Sequence, residues 1–159
     1  MSASYVPTDP TKAEFLTDLD VRERHDGRHQ LLADLWFYSA EIAKASGGSG
    51  LLIIPAGTVT DYASVPEPFW GIVPKDGPWR WASVLHDAAS QGQCVTSLGR
   101  RVHLVKHMTD RLFREAMTVP PCDAVPAFKR WLMYRAVVRW GSGAYGGAPV
   151  IIDPPKDAA

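Results

Sequence analysis

Cysteine is scarce in this chain: Cys94 and Cys122 are the only two. That excludes a disulfide-stapled scaffold and offers no zinc-knuckle spacing. Two free thiols in a reducing compartment are expected, with a single bridge as the alternative. An excess of one charge is also missing. Lys and Arg together number 17, as do Asp and Glu, for a formal net charge of +0. No general basicity therefore points to nucleic acid or an anionic membrane, although a local patch is compatible with this balance. Long apolar runs are lacking too. None approaches the ~20 residues needed to cross a bilayer. The first ten residues, with neither a basic start nor an apolar core, do not read as a signal peptide. Walker, G-x-G-x-x-G and G-x-S-x-G motifs are absent, so no phosphate cradle or nucleophile elbow is announced.

What is present suits one globular unit. The chain has 159 residues, 46% of them hydrophobic, which is enough to bury a core. Six tryptophans suggest that this core is rich in aromatics. The patterning predicts an N-terminal arm over 1–14, one α+β domain over 15–147 and a proline-rich tail over 148–159. The expected fold is a small N-terminal antiparallel β-sheet of three or four strands, packed by about three main α-helices.

Local signals place the elements. Asp26-Gly27 between two strand-like runs predicts a hairpin. The return strand is expected to run through Leu31 to Tyr38, with a bulge or helical turn near Leu31–Ala33. Residues 43–50 read as a flexible loop, and Leu51-Leu52-Ile53-Ile54 as a buried strand ended by Pro55 and Gly57. Ser64-Val65-Pro66-Glu67 has capping-box spacing for a short helix through Ile72. Pro78 then opens a helix that Gly92 ends. Further helices are expected over 101–117, stopped by Pro120-Pro121, and over 125–140, with Asp123 as its cap.

Helical faces locate the candidate chemistry. On helix 78–90, Trp81, Ala82, Leu85, Ala88 and Ala89 form an apolar arc that His86 flanks, with Asp87 on the polar side. On helix 101–117, Asp110 borders a wide apolar arc. Two helices joined by a short loop pack antiparallel, which can bring His86 against Asp110. A carboxylate that orients an imidazole fixes its tautomer and raises its basicity, as a general base or metal ligand requires. Asp61, in the turn before both helices, is a third candidate group. The bland readings stand beside these. His86 can be a satisfied structural histidine, Asp110 can pair with Arg114 at i,i+4, and Asp61 can form an Asx turn. The His-Asp dipeptide is uninformative, since it recurs at His25-Asp26 in a turn. His103, His107 and Asp110 at i, i+4 and i+7 make a second metal-ligand pattern, against which stands simple exposure.

With these residues in view, the chain resembles phage and prophage proteins of the domain-of-unknown-function family 1353. The resemblance rests on Pro55-Ala56-Gly57, Val59-Thr60-Asp61, Ala63-Ser64-Val65-Pro66, Val84-Leu85-His86-Asp87, Asp110, Phe113, Glu115-Ala116-Met117 and Met133–Val137. It runs from about Phe15 to Gly147. Ser90-Gln91 stands where a tyrosine is usual, and Thr109 where an alanine is. The resemblance implies a phage or prophage origin and brings no activity with it. The arrangement is also similar to that of secreted phospholipase A2, in which the histidine activates water, the next aspartate holds calcium and a distant aspartate orients the histidine. Those roles would fall to His86, Asp87 and Asp110, without that family's disulfides or calcium loop.

Two functions are therefore expected. One is a phage accessory module for morphogenesis (tail- or virion-associated) or host interaction, in the host cytoplasm or the virion, with phage structural proteins or a host envelope component as partners. The other is a small hydrolase of an envelope or cell-wall bond. There His86 is the general base, Asp110 orients it, Asp61 assists, and Asp87 is a ligand to Ca2+ or Zn2+.

Overall fold

The computed structural model describes residues 5–62, 71–72 and 76–140, and only the backbone of Trp140. The architecture is α+β. Its strands lie in the first part of the chain as two three-stranded antiparallel sheets, rather than the single sheet expected. In the first, β4 (Leu35–Tyr38) lies between β1 (Glu14–Phe15) and β5 (Leu51–Ile54). In the second, β3 (His29–Leu31) lies between β2 (Val21–Glu23) and β6 (Val59–Thr60).

The hairpin forms where Asp26-Gly27 predicts it. Gly27 takes φ 77°, and Asp26 accepts from the Arg28 backbone N–H at 3.1 Å. The return strand is interrupted where a bulge or helical turn is expected, but the interruption goes further than either. The strand breaks at Leu32–Asp34 and changes sheets. Asp34 holds the break: its carboxylate accepts from Ala56 N at 2.7 Å, and its carbonyl accepts from the Thr17 hydroxyl at 3.2 Å. Continuous pairing of β4 with β5, Leu35 with Ile54 through Tyr38 with Leu51, buries the apolar side chains of both strands. Residues 5–13, expected as an arm, touch this sheet. Tyr38 Oη donates to the Pro10 carbonyl at 2.8 Å, and the Tyr5 and Trp36 rings lie 5.0 Å apart.

The expected loop over 43–50 holds only from Gly47; its first half is corrected by α1 (Ala40–Ser46). Ser39 caps it, accepting from Ile42 N at 3.0 Å, and Gly47 ends it in the left-handed region. The Gly-Ser run masked a capped helix of good helix formers. Gly50, at φ 68°, lets the chain return against the Ser39 carbonyl, where a β-carbon would overlap it.

The helical layer is α2 (Arg80–Ser90), α3 (Lys106–Ala116) and α4 (Ala127–Trp140). α2 packs on α3 and α3 on α4, and β6 reaches α2. Phe37, Leu52, Leu85, Leu112, Phe113 and Met133 fill the space between sheet and helices.

Three helix boundaries differ from expectation. α2 starts two residues after Pro78. α3 starts at Lys106 rather than 101, because Val102 and Leu104 alternate inward with exposed or half-buried neighbours. Arg101 bridges to Val95, and Val102 N donates to Cys94 O at 2.9 Å. Period-2 burial, with β-branched Val102 and Val105, draws this stretch into extended pairing. Asp123 does not cap α4. It sits exposed in a 3-10 turn, Cys122–Ala124, before Pro126. The capping box at Ser64–Glu67 lies outside the described residues. Both cysteines are free and buried.

Candidate functional site

The helix faces bring His86 and Asp110 together. His86 Nε2 lies 3.1 Å from Asp110 Oδ1, and the two residues are only 3% and 4% exposed. The Phe113 ring stands edge-on to the imidazole at 5.7 Å. Leu85 and Ala89 bury the arc beside His86, while Leu112 and Phe113 bury the arc beside Asp110. Packing of apolar stripes thus sets this polar contact.

The partner that sequence reasoning missed is Lys106. Its Nζ lies 2.6 Å from Asp110 Oδ2 and donates to the carbonyls of Val137 and Val138 on α4, at 3.4 and 3.2 Å. Asp110 has cations four residues away on both sides. Lys106 takes it because its ammonium can also serve carbonyls near the end of α4, where a cation is favoured. Arg114, the partner considered from sequence, lies instead 4.0 Å from Glu41 and over the Tyr134 ring. One network therefore ties α2, α3 and α4.

Burial pushes the Asp110 carboxyl up, but hydrogen bonds from His86 and Lys106, with their charges, outweigh it and hold it below its ordinary range. An ionised Asp110 only accepts, so His86 Nε2 carries the proton in the neutral ring and Nδ1 is its basic atom.

Asp87 belongs to a different environment. It is half-buried, and its carboxyl is pushed up, first by burial and further by the negative charge of Asp61. The Thr60 hydroxyl and the Gln91 amide, the latter at 2.7 Å, oppose that rise. Asp87 thus faces β6 and Asp61, while its neighbour His86 faces α3. Asp61 itself is exposed. His103, His107 and Asp110 are not assembled on one helix face. His103 precedes α3 and lies against Gly92, and His107 is exposed. Among the described residues, no group of three or more His, Cys, Asp or Glu side chains could hold a metal ion. Among the described residues, Asp61 and Asp87 pair two carboxylates with no third His, Cys, Asp or Glu side chain beside them.

Residues 36–137, from β4 to near the end of α4, match a family described as "Protein of unknown function (DUF1353)". The chain belongs to this family. The matched stretch contains Asp61, His86, Asp87, Lys106 and Asp110. The chain is also similar to the uncharacterized protein y4jT of Sinorhizobium fredii (strain NBRC 101917 / NGR234), at 34% identity over 90 residues. That alignment covers 55% of this chain and 23% of the relative, so the chain spans well under half of that protein's length. No solved structure matches. No helix among the described residues is long and apolar enough to cross a membrane.

Proposed function

We propose that this family member is a phage- or prophage-encoded accessory protein that works by binding, as a morphogenesis (tail- or virion-associated) or host-interaction module. In this reading the His86–Asp110–Lys106 network is architectural. The observation that carries it is the outward face of α4. Phe128 is 67% exposed and Trp131 is 56% exposed, with their rings stacked at 6.2 Å. Arg135 lies over the Trp131 ring and Val138 continues the stripe. Positions 128, 131, 135 and 138 share one helix face. α4 also carries Lys129, Arg130, Arg135 and Arg139 and no acidic residue. Exposed aromatics flanked by cations suit a protein partner with an apolar centre and an acidic rim. A phage structural protein or a host envelope component would supply it.

The test is association with purified phage particles. A Phe128→Ser/Trp131→Ser variant should keep wild-type stability and lose at least about tenfold in particle-bound protein, the equivalent of one hot-spot contact. Undiminished retention of the variant, or absence of the wild type from particles and from the host envelope, would overturn the reading.

One observation favours a second reading, hydrolysis of an envelope or cell-wall bond: a carboxylate orients an imidazole at 3.1 Å. His86 Nδ1 would then take the proton from water, Asp110 would hold the ring, and Asp61 and Asp87 would bind substrate or a metal ion. The burial of His86 weighs against it. Release of product from peptidoglycan or phospholipid vesicles, with and without Ca2+ or Zn2+, that a folded His86→Gln variant fails to give would establish this reading over the first.

A further inference from the structure

The charges of this chain are unevenly shared. Residues 5–62, which form the strands and α1, carry nine Asp or Glu and five Lys or Arg, whereas residues 100–140 carry three and nine. The basic share ends on α4, whose outward stripe of Phe128, Trp131, Arg135 and Val138 is exposed. Lys129 and Arg135 on this helix meet no carboxylate among the described residues. α4 is therefore an aromatic face with unneutralised cations.

The strand side of the same chain holds the opposite surface. A cavity of about 500 Å3 lies beside β4, with Tyr5, Trp36, Asp18, Asp20 and Asp34 in its lining and no Lys or Arg. That volume is within the range of pockets that enclose a ligand. The Tyr5 and Trp36 rings form an apolar wall, 5.0 Å apart and tilted by 58°. The three aspartates are exposed, and none has a cation partner among the described residues. Other surface charges are neutralised locally, as Arg24 and Arg28 are on Asp26 and Arg111 on Glu41. The two unneutralised sets are complementary in sign, and each lies beside aromatic rings.

We propose that the α4 face docks into this cavity on a second copy of the chain. The inference rests on the reading of α4 as a binding face and names its partner, because the apolar centre with an acidic rim that α4 suits is present on this chain itself. Phe128 and Trp131 meet the Tyr5 and Trp36 rings, while Lys129 and Arg135 meet Asp18, Asp20 and Asp34. Burial of the rings supplies the affinity. The charge pairs, which contribute little when exposed, fix the orientation and exclude other surfaces. Each contact takes one surface from each copy, so copies close reciprocally into a pair or run head to tail.

Sedimentation velocity on the full chain tests this over a range of protein and salt concentrations. A mass above that of one 17.5 kDa chain is expected, rising with protein and falling with salt. Phe128→Ser/Trp131→Ser removes one surface and Asp18→Lys/Asp20→Lys the other, all at exposed positions. Each variant alone should weaken association at least about tenfold. An equimolar mixture of the two should restore it as a 1:1 pair, because the intact α4 of one meets the intact cavity of the other. Restoration also shows that both variants are folded. A wild type that stays monomeric throughout would overturn the proposal, as would a mixture that stays monomeric. Wild-type association of Asp18→Lys/Asp20→Lys would overturn it too, since α4 would then be pairing without the cavity. A monomeric wild type whose α4 variant is lost from phage particles would sink self-docking and leave the binding role of α4 standing. An α4 variant retained on particles would sink that role instead.

Discussion

Replacing Asp110 by Asn keeps the side chain's shape and removes its charge. The structure sets the cost. Asp110 accepts from His86 and from Lys106, and hydrogen bonds to a charged group contribute roughly 1.5–3 kcal/mol each. The two are not equal here. The Lys106 side chain is 37% exposed and can rehydrate, so its share is discounted to about 1 kcal/mol or less. His86 is buried and cannot exchange its partner for water. An Asn oxygen can still accept from the imidazole, so part of that bond survives. The expected loss is about 2–3 kcal/mol, a drop of roughly 6–10 °C in melting temperature. Urea unfolding of wild type and variant at neutral pH measures it. The pH dependence supplies a second check. The folded-state carboxyl lies below its ordinary value of 3.8, so its stabilisation is present above that value and is lost as pH falls through the lower folded value. The gap between wild type and variant should therefore shrink in acid. An Asp110→Asn protein within about 0.5 kcal/mol of wild type at neutral pH would refute the reasoning.

Further expectations follow from other contacts. Lys106→Met, which keeps the aliphatic stem, should cost about 1 kcal/mol or less in denaturant unfolding, well below the Asp110 variant. Gly50→Ala should destabilise by about 2 kcal/mol or more, because the residue has φ 68° and a β-carbon would overlap the Ser39 carbonyl. Burial pushes Glu115 above its ordinary value of 4.5, against hydrogen bonds from the Ser39 hydroxyl and Glu41 N. Stability from this group is therefore full below 4.5 and declines as pH rises through the folded value, and a Glu115→Gln variant should lack that decline in a pH series of melts. Burial also pushes the Cys94 and Cys122 thiols up to about 12. Neither should react with a thiol reagent in the native protein at neutral pH, and both should react in denaturant.

Local chemistry made much of the fold legible. The Asp26-Gly27 turn, the Leu51–Ile54 strand and the Gly92 stop each follow from residues close in sequence. The His86–Asp110 contact was legible as well, because two apolar helix faces with flanking polar groups have few ways to meet. What escaped depended on distant partners. An irregularity near Leu31–Ala33 was legible, but the change of sheets there, held by Thr17 and Ala56, was not. The extended stretch 101–105 is held by pairing with 94–96, which overrode a helical pattern. Lys106 was chosen over Arg114 by carbonyls on α4, some thirty residues away.

The central claim is that the buried His86 network supports the fold while binding supplies the function. The most direct test is the biological effect of a His86→Gln variant, compared with wild type at a temperature where both are fully folded. The expected result is unchanged association with particle or envelope. A folded His86→Gln protein that loses the wild-type effect would contradict the claim and place the chemistry at the imidazole.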